Sequence, residues 1–124
     1  MSDLGLYASL YEQLRNYADQ IDHALVNIRS EDKQLNEKAR KQLAGLLKEI
    51  NEEDTTRPAA KLVAFILREE LPQFFGKKRA VWETLSKALE KGNPDKDQYC
   101  KLEQIASVID RECISTRMRM EGRL

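Results

Sequence analysis

An all-α fold, a compact bundle of four to five mostly antiparallel amphipathic helices, is what this sequence predicts, and three observations carry the prediction. Leu4, Tyr7, Tyr11, Leu14, Ala18, Ile21, Leu25 and Ile28 follow one another at alternating spacings of three and four, an unbroken heptad seam. Beyond it, the rest of the chain is cut into helix-length amphipathic segments by a few short Pro- and Gly-containing stretches. The composition agrees: hydrophobic residues make up 41% and charged residues 34%, with only 5 Gly and 3 Pro, which suits helices better than sheet or a disordered chain. At 124 residues the length is that of one domain with room for a core. Residues 1–114 are expected to form the bundle, and residues 115–124 a basic tail that frays or extends.

The first helix spans Leu4 to Ile28. Leu10, Tyr17 and Ala24 flank its seam and widen it, so it is expected to meet two or more neighbours rather than a single coiled-coil partner. Tyr7 and Tyr11 suit the end of a bundle, where ring and hydroxyl can be divided between core and water. The alternative use of these tyrosines is a homodimer contact. After Ile28 the register fails, because a continuous helix would set Asp32, Gln42 and Glu49 on the seam. Ser30 followed by Glu31 and Asp32 resembles an N-cap with acids in the first turn. The second helix is then expected to reach about Glu53 and to bury Leu35, Ala39, Leu43, Leu46, Leu47 and Ile50.

Asp54 to Pro58 offers capping side chains and a first-turn proline. The third helix carries Ala59, Leu62, Val63, Phe65, Ile66 and Leu67 around most of its circumference, which marks it as the expected centre of the bundle. Leu71-Pro72 ends it, since a residue before proline avoids the helical region. A fourth helix, with Phe74, Val81, Trp82, Leu85, Ala88 and Leu89 as its apolar face, stops at Gly92-Asn93-Pro94. The fifth opens at Asp95 or Asp97 and buries Tyr99, Leu102, Ile105, Ala106, Ile109 and Cys113.

The charge balance narrows the function. Lys plus Arg and Asp plus Glu are 21 each, so no global field steers the chain toward nucleic acid or membrane. Residues 1–56 hold 7 basic and 11 acidic side chains, and residues 57–124 hold 14 and 10, so the halves carry opposite signs. The longest apolar run, Leu62 to Leu67, is far too short to span a bilayer, and no secretory signal is visible at the N-terminus. Cys100 and Cys113 share one helix at a separation of ~20 Å, too far to bridge. A cytoplasmic protein with reduced thiols is the expectation.

Catalytic constellations are not legible. The one histidine, His23, lies off the seam with Asp19 a turn away, as a surface ion pair would. The Glu-x-x-His pairs of di-iron bundles and the phosphate-loop and dinucleotide fingerprints do not occur in the sequence. Asn93 to Asp97 begins like a calcium loop, but Gln98 stands where Gly is needed and Gln104 where the bidentate Glu belongs, so helix capping explains it better. No cofactor, metal or small-molecule substrate is expected. The candidate site is instead a set of anion- or partner-binding residues. Lys77, Lys78 and Arg79 cluster where a helix starting at Gly76 would disfavour cations in its first turn, and where a start at Pro72 would put Lys78 in the apolar stripe. An anion or a partner's carboxylates joining them is one reading, and a solvated loop whose lysines snorkel is the other. Trp82 sits beside that cluster at the edge of its stripe, where a core residue or an interface anchor would both fit. Arg117 and Arg119 alternate with methionines in the tail, as in segments that fold onto an acidic partner, though a solubilising end reads the same way. The expected function is therefore a non-enzymatic helical module for protein–protein interaction, able to self-associate. The alternative is a small nucleic-acid-binding regulator working through its local basic patch.

Overall fold

The computed structural model describes residues 2–52, 58–74 and 80–122, and among them finds five α-helices and no strand. They are α1 (Ser2–Ile28), α2 (Lys33–Glu52), α3 (Pro58–Glu70), α4 (Ala80–Lys91) and α5 (Lys96–Met120), with a single 3-10 turn at Pro72–Phe74. The chain is thus an all-α bundle. Its most extensive packing is α1 on α5, followed by α2 on α4 and α1 on α2; α3 leans on α2, α5 and α1.

The heptad seam does what its spacing requires. Leu14, Ala18, Ile21, Leu25 and Ile28 are buried, as are Tyr17 and Ala24 on the widened flank, because this helix is covered from several sides. The side chains of Leu4 and Tyr7 lie outside those described. Tyr17 keeps its hydroxyl satisfied by donating to Glu49 Oε2 of α2 at 2.9 Å.

The end of α1 shows why the chain breaks at Ser30. The last four carbonyls of a helix have no partner within it, and each of these four finds one. Tyr99 Oη donates to Leu25 O at 3.3 Å. The Arg29 and Ser30 amides donate to Val26 O and Asn27 O. Asn36 Nδ2 donates to Ile28 O at 2.6 Å. The next helix is capped by Asp32 rather than Ser30: Asp32 Oδ1 accepts from the amides of Gln34 and Leu35. Ser30 Oγ instead accepts from Asp32 N and shapes the turn. With the start moved two residues on, Leu35 falls in the first turn and is 44% exposed rather than buried.

The third helix is not the centre of the bundle. Ala60, Val63, Ala64 and Leu67 are buried, but Phe65 is 59% exposed, on a face shared with Lys61, Arg68 and Glu69. A run of six apolar residues covers more of a helix than one set of neighbours can reach, and α1, with its longer seam, takes the central place. Proline does end α3, with Leu71 N donating to Leu67 O at 2.7 Å. Phe74, assigned from sequence to the fourth helix, belongs to the 3-10 turn and packs edge-on to Trp82, with ring centroids 6.2 Å apart.

Polar side chains join α2 to α4 and to the residues just beyond it. Arg40 Nη1 donates to Leu89 O at 2.8 Å, capping an end carbonyl of α4, while Arg40 Nε donates to Asn36 Oδ1 at 2.9 Å. Asn36 also donates to Asn93 Oδ1 at 2.7 Å, and Ser86 Oγ donates to Ala44 O at 3.2 Å.

The fifth helix opens on a capping box. Asp95 Oδ1 accepts from Gln98 N at 2.8 Å, and Gln98 Oε1 accepts from Asp95 N at 3.0 Å. The helix does not fray at Ser115. It continues to Met120 with Thr116 buried, and ends where Gly122 takes φ 71°, in the left-handed region that glycine enters without steric cost. No described helix is long and apolar enough to cross a membrane.

Candidate functional site

The sequence-derived candidates do not converge. Lys77, Lys78 and Arg79 lie outside the described residues. Trp82 is 1% exposed, and its indole N–H donates to Phe74 O at 3.0 Å, so it is a core residue and not an interface anchor. Burial follows from helical phase: Trp82, Leu85 and Leu89 share one face at spacings of three and four. Arg117 pairs with Glu121 at 3.1 Å, one turn on, and Arg119 is exposed beyond it on ordered helix. The histidine reading also changes. Asp19 pairs with Arg15 at 3.3 Å, and His23 Nε2 lies 2.9 Å from Asn27 Nδ2, so His23 contacts an amide one turn on rather than Asp19.

The surface feature with the most chemistry lies elsewhere, between α1 and α5. The two helices run antiparallel, as the pairings of Leu25 with Tyr99 and of Asp22 with Asp110 require. Their outer edges leave a groove of about 830 Å³. Leu25 and Ala106 form its floor, and Val26 and Ile114 stand on its rims at 70% and 61% exposure. An exposed branched aliphatic on each of two facing helices is a patch rather than a scattered surface residue.

Charge in the groove is arranged in three ways. Arg29 stacks its guanidinium over the Tyr99 ring, 4.4 Å from the centroid. Arg111 leaves the groove for α3, donating from Nη2 to Glu70 Oε2 at 2.7 Å. Asp22 and Asp110 come together across the seam, close enough to hydrogen-bond when one of them carries a proton. Partial burial, and then the charge and hydrogen bond of Asp22, push the Asp110 carboxyl up to about 6; Arg15 opposes this and Asp19 adds to it. One turn further along α5, burial and then the Asp110 charge raise the Cys113 thiol to about 11, leaving it an inert core group. Among the described residues no cluster of His, Cys, Asp and Glu has the arrangement of a metal site.

Val26 and Ile114 carried a signal that could have been read in advance: each is an apolar residue off its helix's buried stripe. The Asp22–Asp110 pair had none, since it exists only through the register of α1 against α5. No family model matches this sequence, and neither a curated protein nor a solved structure does.

Proposed function

We propose that this chain is a non-enzymatic interaction module that docks a helical segment of a protein partner along the groove between α1 and α5. The observation that carries the reading is the pair of exposed aliphatic rims, Val26 and Ile114, above an apolar floor. A groove of this kind accepts an amphipathic helix whose anchors recur at i, i+3, i+4 and i+7. Polar groups at the rim then fix register while the anchors supply affinity.

The test is comparative capture from nuclease-treated native lysate, using the wild-type chain and a Val26→Ser/Ile114→Ser variant as baits. Helix propensity differs little among valine, isoleucine and serine, so the variant keeps its fold, as circular dichroism will verify. A partner retained by the wild type and lost by the variant is the expected result. Identical captured sets would overturn the reading. Sedimentation at several concentrations decides whether the partner is a second copy of the chain.

A further inference from the structure

We infer that the docked segment is a basic amphipathic helix, one cation of which sits between Asp22 and Asp110 while apolar side chains on either side of it cover Val26 and Ile114. The inference rests on the docking reading above and assigns the chemistry of the partner.

Three observations support it. Of the groove's own cations, Arg111 is paired with Glu70, and Arg29 lies on the face of Tyr99, two helical turns on from Asp22. Its acids are placed differently: Asp22 and Asp110 have each other for company, and Glu103 lies exposed in the same groove two turns away on α5. Two carboxylates brought together in a partly buried seam repel unless a proton or a cation lies between them. A guanidinium, with its planar fork of donors, is the side chain best shaped to bridge them, and an ammonium does so as a point charge.

The order of residues along the groove then specifies the pattern of the partner. Val26 is one turn beyond Asp22 on α1, and Ile114 is one turn beyond Asp110 on α5. Because the helices are antiparallel, those turns extend in opposite directions from the acid pair. The groove therefore presents aliphatic, paired acids, aliphatic over two helical turns, or ~11 Å. The complementary helix carries an apolar residue at i, Arg or Lys at i+3 or i+4, and a second apolar residue at i+7.

The groups that set the charge at this point are few. From α1 come Asp22, Asp19 and Arg15, the last two paired with each other. From α3 comes Glu70, neutralised by Arg111. Acidification protonates Asp110 and removes one of the two negative charges that hold the cation, so docking weakens as the pH drops below about 6.

A phage-displayed library of alanine-based helices, randomised at i, i+3, i+4 and i+7, tests this on the full chain, with counter-selection on the Val26→Ser/Ile114→Ser variant. Enrichment of Arg or Lys at i+3 or i+4 between apolar residues is the expected outcome. A selected peptide, followed by fluorescence anisotropy, should lose tenfold or more in affinity on Asp22→Asn/Asp110→Asn. It should also weaken between pH 7.5 and 5 on the wild type but not on that double variant. Groove-dependent helices with neutral or acidic central positions would overturn the basic assignment and leave the docking reading standing. Recovery of no groove-dependent helix would overturn both.

Discussion

The α2/α4 seam and the α1/α5 seam are both antiparallel-style helix contacts rich in leucine and isoleucine, yet they treat polar groups in opposite ways. At the first, Arg40 donates to Leu89 O, an end carbonyl of α4, Ser86 donates to Ala44 O of α2, and Asn36 reaches Asn93 Oδ1 just beyond α4. Those side chains close the structure. At the second, the crossing pair is Asp22 and Asp110, two groups of the same sign, with exposed aliphatics on either side. A closed seam contributes to stability; a seam left with like charges and uncovered apolar surface is less stable than it could be, and it is there that we propose docking. The two regions should therefore respond differently to substitution.

The largest effect is expected at Trp82. Truncation to alanine removes the biggest buried side chain under α4 and its hydrogen bond to Phe74 O, and should cost about 3–5 kcal/mol in urea denaturation. Trp82→Phe keeps most of the volume, and the groove's affinity for a docked helix should not change in it. If it does, the two seams are not independent. Next comes Arg40→Ala, which leaves Leu89 O and Asn36 short of partners. A loss of about 1.5–3 kcal/mol is expected, the range for a charged donor. A neutral result would show that water replaces the guanidinium and that the seam is less closed than its hydrogen bonds imply.

Asp110→Asn should act with the opposite sign. The Asp110 carboxyl, raised to about 6 from an ordinary 3.8, holds its proton more tightly folded than unfolded. Its ionisation therefore lowers stability as the pH rises from about 4 through 6, and the deficit persists at neutral pH. Substitution should raise stability at pH 7.5 by about 1 kcal/mol, well below what the whole shift would give, because solvent screens a group that is only partly buried. Melting temperatures across pH 4 to 8 check this: the wild type should lose stability relative to Asp110→Asn over that window, and parallel curves would sink the idea. The smallest effect is expected from Val26→Ser and Ile114→Ser, each within about 0.5 kcal/mol of wild type, since neither side chain is covered. A loss above 1 kcal/mol at either site would mean that the rim is structural.

Much of the fold could be read in advance because it is written in local spacing. The α1 seam, the break at Ser30, the stop at Leu71-Pro72 and the opening of α5 at Asp95 each depend on a few neighbouring residues. The misreadings have local causes too. Asp32 takes the cap, accepting from the Gln34 and Leu35 amides, because Ser30 Oγ is used one step earlier to hold the turn at Asp32 N. The Arg117-to-Arg119 stretch was read for its charge, while Gly122, the signal for an ordered helix end, was passed over. Phe65 was given to the core because six consecutive apolar residues hide which face is turned inward.

What the sequence by itself determined is which residues form helices, where those helices stop, and which stripe of each is apolar, since periodicity and capping act within one or two turns. Only the tertiary structure decided that α1 takes the centre, that Phe65 turns outward, and that Asp22 meets Asp110 between Val26 and Ile114. Those outcomes depend on how one helix slides and rotates against another, and that register is set by the packing of whole faces, which no single stretch of the chain contains.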